Sequence, residues 1–260
     1  MTLPFHIAVA AQEGDLDTIR AYFEDDSDGA RDVDDICEEE TLETVTLLML
    51  AAGGSHQGLS ERSVEVARYL LSRGASVDKR TSETRQTALL LTCYSRGGNV
   101  AEMISLLLSA GADPNARNNY HRTPLGAHVR FCGTPSVECV TAMMRAGASL
   151  DRVYKEQTFE DQISYRFSVG EEGPDPESSW PKIRALAAGI RRHGSFKRYL
   201  REPHREVLAL RGLAMRGHLA PRGTRRTRRT QQWEAAVAFL ARHGDNGVVW
   251  NILSFWRAAE

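Results

Sequence analysis

The sequence predicts an all-α protein in which pairs of antiparallel helices repeat along the chain. Apolar residues recur at helical spacing in three stretches, each ending at a glycine, and these glycines stand 37 and 36 residues apart. Three threonines suited to cap a helix recur at spacings of 41 and 36 residues. The glycines are Gly74, Gly111 and Gly147, and the threonines are Thr46, Thr87 and Thr123. Such a period predicts a solenoid, because each repeat must bury its apolar face on its neighbours.

The stretch from Ala101 to Leu125, AEMISLLLSAGADPNARNNYHRTPL, carries the repeat most clearly. Its apolar helix ends at Gly111, and Thr123 followed by Pro124 provides a capping residue and a proline at the first helical position. This stretch resembles the ankyrin repeat, whose consensus runs from an outer helix, VVxLLLxxGADxN, through a β-turn finger into GxTPLHxAA. The resemblance implies an ankyrin-repeat solenoid of four recognisable repeats and a degenerate fifth.

The repeats depart from the family pattern in two ways. They exceed the basic unit of about 33 residues, and the surplus is expected between the two helices of a repeat, at residues 53–63, 94–100 and 130–136. The histidine of the consensus TPLH is replaced by Met49, Leu90 and Gly126 in repeats 2 to 4. Because that histidine makes an inter-turn hydrogen bond typical of the family, its loss predicts an irregular and less stable stack.

Charge is distributed unevenly along a chain whose net charge is only −1. Residues 1–50 carry 14 Asp or Glu against two Arg, a net charge of −12, whereas residues 182–260 carry 17 Lys or Arg against five acids, a net charge of +12. Residues 24–43 form an acidic insertion with few apolar side chains. We expect this insertion to be flexible, so that deleting residues 25–39 would leave the melting temperature nearly unchanged.

The C-terminal part of the chain leaves the repeat pattern. We predict an ankyrin-repeat solenoid over residues 1–193 and a C-terminal helical module over residues 194–260 that caps it. The last helix carries an apolar stripe at i, i+3, i+4 and i+7, formed by Val249, Ile252, Leu253 and Trp256. Its VWNILSFWR ending resembles the tails of ankyrin-repeat proteins of unicellular algae. The stripe is expected either to cover the open end of the solenoid or to hold a second partner.

Composition and motifs favour a non-enzymatic protein of the cell interior. The N-terminus lacks a basic signal region, no apolar run reaches the length of a membrane span, and the four cysteines show no paired spacing. We therefore expect a monomer in the cytoplasm, with the nucleus as the alternative, and no membrane insertion. No GxSxG, HExxH or phosphate-binding loop occurs, so neither catalytic residues nor a cofactor are predicted.

Two further groups of residues lack the full pattern of a known site. His128 with Cys132 and Cys139 lacks a fourth ligand for zinc, so no metal is predicted. The arginine run at residues 222–229 has no aromatic platform or DNA-reading motif beside it, which argues against nucleic acid as a partner.

The resemblance implies that the chain binds another protein through its fingers and concave face. The residues at the family's exposed finger positions are mostly basic and include two tyrosines. They are Arg80, Arg85, Arg117, Asn119, Tyr120, Arg122, Tyr154 and Lys155. An acidic or phosphorylated peptide is the expected ligand. The alternative is an adaptor in protein turnover, in which the solenoid reads a substrate and the C-terminal helices dock a ligase scaffold.

Overall fold

The computed structural model describes residues 3–25, 31–38, 44–54, 58–95, 97–132, 135–151, 153–169 and 179–201. These residues form helices and one short hairpin, in the order α1 (Phe5–Glu13), α2 (Leu16–Glu24), β1 (Ile36–Glu38), β2 (Thr44–Thr46), α3 (Leu47–Gly53), α4 (Glu61–Ser72), α5 (Ala88–Tyr94), α6 (Val100–Ser109), α7 (Pro124–Phe131), α8 (Val137–Arg145), α9 (Phe159–Val169) and α10 (Trp180–His193).

The helices stack in two rows, as the sequence predicted. The inner helices α1, α3, α5, α7 and α9 contact one another in chain order, and the outer helices α2, α4, α6 and α8 do the same. Each inner helix is joined to the next outer helix by a loop, and the surplus residues of the repeats fall in these loops, as expected. The prediction of an all-α repeat solenoid is therefore confirmed.

The predicted helix signals are also confirmed. The side chains of Thr46, Thr87 and Thr123 each accept a hydrogen bond from the backbone N–H three residues ahead, which starts α3, α5 and α7. At the other end of the repeat, Gly111 has φ +93° after α6. This left-handed conformation favours glycine because it lacks a Cβ.

The core lies between the two rows and extends into the degenerate fifth repeat. Met49 and Leu90, which replace the consensus histidine, are buried apolar residues of the inner row. In the fifth repeat, Phe159 of α9 and Ile183 of α10 are fully buried. The apolar face of α10 is therefore used for packing.

The expectation of a flexible acidic insertion is wrong for residues 31–38. Strand β1 pairs antiparallel with β2, with Ile36 opposite Thr46, and forms the first finger of the solenoid. Asp34 accepts hydrogen bonds from the backbone N–H of Ser76, at 3.0 Å, and from its hydroxyl. Lys79 donates to the backbone carbonyl of Asp34 at 2.6 Å. The carboxylate-rich segment is thus held by a neighbouring repeat, a partner too distant in sequence to be seen from composition.

The chain divides into two compact units, residues 1–191 and 192–260. In the second unit the structure describes residues 192–201, which contain the end of α10 and a short helical segment. The predicted stripe of Val249, Ile252, Leu253 and Trp256 lies outside the described residues. So does the segment proposed to dock a ligase scaffold, and both remain predictions.

Candidate partner-binding face

The fingers of repeats 2, 3 and 4 each contain one residue with a positive φ. Each turns at a residue in the left-handed region that is not glycine: Arg85 at φ 53°, His121 at φ 59° and Lys155 at φ 50°. Arg85 and His121 each stand two residues before the threonine that caps the next inner helix, whereas Lys155 stands three residues before Thr158, and all three side chains are exposed. Such a backbone is retained only where the surroundings fix it.

Hydrogen bonds join each finger to the next. The backbone N–H of Asn119 donates to the carbonyl of Thr84 at 2.9 Å, and that of Lys155 donates to the carbonyl of His121 at 3.2 Å. At the base of the fingers, both carboxylate oxygens of Asp78 accept from the N–H of Asp113 at 3.1 Å. One repeat later the same contact is made by Asn115, whose Oδ1 accepts from the N–H of Ser149 at 2.8 Å. The fingers are thereby fixed relative to each other before any ligand binds.

Arg122 is the centre of a cluster on these fingers. Its guanidinium carbon lies 4.7 Å from the ring centroid of Phe131, 5.2 Å from that of Tyr154 and 5.5 Å from that of Tyr120. Stacking of this kind is favourable because the ring face is electron-rich. The side chain of Arg122 is half-buried. Within the described part of the chain, its guanidinium donates no hydrogen bond and forms no ion pair.

Arg130 of α7 extends the cluster towards the fifth repeat. Its guanidinium lies 4.4 Å from the ring centroid of Tyr165 and 5.7 Å from that of Tyr154. The Nζ atom of Lys155 lies 5.4 Å from the ring centroid of Tyr154. The inner helices and fingers of repeats 3 to 5 thus converge on one surface.

Tyr94 of α5 completes the surface. Its ring lies 5.1 Å from that of Phe131, and its hydroxyl accepts from Nδ2 of Asn118 at 3.2 Å. Asn118 is buried and its Oδ1 also accepts from the N–H groups of Tyr120 and Arg122, each at 3.0 Å. This asparagine holds finger 3 against α5.

We call this surface the arginine–aromatic cluster. Its members are Tyr94, Tyr120, Arg122, Arg130, Phe131, Tyr154, Lys155 and Tyr165. Three of its rings are exposed, with Tyr120 at 52%, Tyr165 at 44% and Phe131 at 37% of their maximum accessible area. Exposed rings beside held cations are the side chains that contribute most to protein interfaces.

The residues predicted from the sequence fall into two groups. Tyr120, Arg122, Tyr154 and Lys155 come together in the arginine–aromatic cluster. Arg80, Arg117 and Asn119 instead lie where fingers 2 and 3 meet. Nη1 of Arg80 donates to the carbonyl of Arg117 at 2.7 Å, and Nδ2 of Asn119 donates to the carbonyl of Glu83. Arg85 lies exposed at the tip of finger 2.

Sequence reasoning missed the inner-helix half of the cluster. Tyr94, Arg130 and Tyr165 each stand seven residues after the threonine that caps their helix, and Phe131 follows Arg130 directly. Equivalent positions in stacked repeats lie side by side, so this recurring bulky residue was a usable signal.

His128 and two cysteines lie buried within the same repeats. Nε2 of His128 accepts from the backbone N–H of Ser136 at 3.2 Å, so the neutral ring carries its proton on Nδ1. Burial lowers the pKa of His128 to about 4 and raises the pKa of Cys139 to about 11. Burial also raises the pKa of Cys93 well above its ordinary value. At neutral pH these groups are uncharged packing residues, and a protonated thiol is a poor nucleophile.

Comparison with known proteins gives the class of the fold. The model of the family "Ankyrin repeats (3 copies)" matches residues 5–118, which span α1 to the third finger. Over these residues the chain is similar to ankyrin repeats, which agrees with the two stacked rows of helices, and ankyrin repeats generally mediate protein–protein interaction.

One relative is the ankyrin repeat, SAM and basic leucine zipper domain-containing protein 1 of Carollia perspicillata. It is 39% identical over 82 residues, which is 31% of this chain and 15% of that protein. The chain thus matches only a small part of this relative's length. In the residues that the structure describes, none of the helices has the length and apolar content to cross a bilayer.

Proposed function

We propose that the chain is a protein-interaction scaffold that binds a partner segment against the arginine–aromatic cluster. The observation that carries this proposal is the position of Arg122, stacked on Phe131, Tyr154 and Tyr120 without an anionic partner in the described chain. The Nε of Arg122 is buried without a hydrogen-bond acceptor in the described chain, and a buried donor left unpaired is unfavourable. A partner that brings acceptors to this point would satisfy it.

The charge of the cluster favours an acidic or phosphorylated ligand. Arg122, Arg130 and Lys155 supply three positive charges on one surface, and Arg85 stands at the next finger tip. Opposite charge on the partner would speed association and select among partners. The exposed rings would supply the apolar contact that charge alone lacks.

The rigidity of the fingers supports affinity. Binding costs free energy for every side chain and loop that must be ordered. Here the finger tips are already tied to one another through backbone hydrogen bonds, and the arginines are held by rings. Most of the ordering cost is therefore met during folding.

The proposal is tested by comparing two surface variants of the full chain. Tyr120→Ala with Tyr165→Ala removes two exposed rings of the cluster, and Glu65→Ala with Arg145→Ala changes two exposed residues of the outer helices. Proteins captured from extract by the wild type and by each variant are quantified by mass spectrometry. The most depleted candidate is then purified and its affinity measured directly.

We expect the ring variant to lose the partner, with affinity falling about tenfold or more, because each aromatic anchor contributes on the order of 1–2 kcal/mol. The outer-helix variant should bind as the wild type does. Equal binding by both variants would contradict the proposal, as would loss of binding in the outer-helix variant alone.

A further inference from the structure

The arginine–aromatic cluster gathers three cations around a single ring. Arg122, Arg130 and Lys155 lie 5.2, 5.7 and 5.4 Å from the centroid of Tyr154, so any two of these cationic groups stand within about 11 Å of each other. Like charges at this spacing repel. The fold therefore places three positive charges around one ring.

The number of charges distinguishes between possible anions. A carboxylate carries one negative charge and two acceptor oxygens, whereas a phosphoryl group carries about 1.5 to 2 charges at neutral pH and three strong acceptor oxygens. Arg122 offers donors that are unused within the described chain, and Lys155 forms no ion pair there. A phosphoryl group matches this set of donors better than a single Asp or Glu.

The burial of the arginines limits which phosphorylated side chain can reach them. The part of that side chain between the backbone and the phosphoryl group is called the stem here. Arg122, Arg130 and Tyr154 are half-buried, whereas Tyr120 and Tyr165 at the edge are 52% and 44% exposed. A ligand that contacts both these rings and the arginines beside them must carry its anion on a stem with an apolar face. A long, flat aromatic stem has such a face and can stack on the edge rings, whereas the one-carbon stem of phosphoserine is short for this reach.

Building on the proposed function, we infer that the arginine–aromatic cluster recognises a phosphorylated tyrosine of a partner protein. The phosphoryl oxygens accept hydrogen bonds from Arg122, Arg130 and Lys155. The phenyl ring packs against Tyr120 or Tyr165. Single-stranded RNA also combines rings with phosphates, but each of its phosphodiesters carries one charge and they follow one another along the strand. Three cations that converge on one ring fit a terminal dianion instead.

The test uses the full chain and four pools of degenerate fluorescent peptides. The central residue of each pool is fixed as phosphotyrosine, phosphoserine, glutamate or unmodified tyrosine. We expect the phosphotyrosine pool to bind about tenfold or more tightly than any other, a ratio typical of charge-assisted hydrogen bonds made by one ligand only. Fluorescence polarisation measures the affinities, and a 12-nucleotide single-stranded RNA serves as the fifth probe.

Three variants locate the binding. Lys155→Gln and Arg122→Gln should each weaken binding of the phosphotyrosine pool about tenfold. Arg145→Gln, on the exposed surface of an outer helix, should leave it unchanged. Because Lys155 is exposed, its substitution keeps the test valid even if the half-buried Arg122 is needed for folding.

The outcomes separate this inference from the proposed function. Equal binding of the glutamate pool, lost in Lys155→Gln, would overturn the preference for phosphotyrosine while supporting an acidic partner on the same face. Equal binding of the phosphoserine pool would overturn the inference as well. Tighter binding of the RNA, or no binding by any peptide pool, would contradict both.

Discussion

The carbonyl oxygen of Val153 lies directly against the backbone of Gly126, where an added Cβ would stand only 2.5 Å away. The same carbonyl accepts hydrogen bonds from the N–H of Thr123, at 3.0 Å, and from its hydroxyl, at 3.3 Å. The fourth finger therefore docks onto the first turn of α7. Gly126 occupies the place of the consensus histidine because this approach leaves no room for a side chain.

Replacing Gly126 by alanine should destabilise the protein by about 1–3 kcal/mol, because the new methyl group overlaps the Val153 carbonyl. Gly53→Ala is the matched control, since Gly53 also lies in an inner helix and has no atom within 4 Å of its Cβ position. Alanine there should be neutral or stabilising by up to about 1 kcal/mol. Denaturant unfolding measures both, and equal effects would contradict the docking of finger 4.

Replacing Gly111 by valine should destabilise the protein more than replacing Gly98. Gly111 has φ +93°, which is costly for a β-branched residue, by about 1–2 kcal/mol or more. Gly98 lies in the loop before α6 with no atom within 4 Å of its Cβ position. Thermal melts of the two variants provide the comparison. Equal shifts would contradict the repeat register.

The first finger depends on Asp34, against the expectation from composition. Asp34→Ala removes two hydrogen bonds to Ser76 and should cost about 1–2 kcal/mol. Glu83→Ala, at an exposed finger position, serves as its control and should change stability little. Deletion of residues 25–39 should now lower the melting temperature, because it also removes β1. A deletion that melts as the wild type does would show that these contacts add no stability.

Burial of His128 predicts loss of stability in mild acid. Its folded pKa of about 4 lies below the ordinary 6.5, so the unfolded chain binds a proton more readily as pH falls. Above about pH 6.5 the burial of His128 does not change the free energy of unfolding. As pH falls from 6.5 to 4, it should lower that free energy by up to about 3 kcal/mol. Urea unfolding of wild type and His128→Gln from pH 7 to 4.5 isolates this contribution from that of the carboxylates. A difference in free energy of unfolding between the two proteins that does not change with pH would contradict this prediction.

Capping residues and helix-ending glycines made the helices of this fold predictable from the sequence. The contacts between repeats could not be predicted from these residues. Thr87 and Gly111 act through their own backbone neighbours, so their roles can be read from adjacent residues. The partner of Asp34 is Ser76, 42 residues away, and nothing in an acidic run points to it. Likewise, Arg122 meets Phe131 only because finger 3 and α7 fold onto one surface. The finger residues of the cluster could be predicted from the family pattern. The inner-helix residues were identified only from the structure, in which the repeats are stacked.

The most direct test of the proposed function is hydrogen–deuterium exchange of the chain with and without its purified partner. If the arginine–aromatic cluster is the binding face, protection should appear in residues 116–122 and 153–157 and at the end of α7, while α4, α6 and α8 exchange as in the unbound protein. Protection confined to those outer helices, with the fingers of repeats 3 and 4 unchanged, would contradict the account.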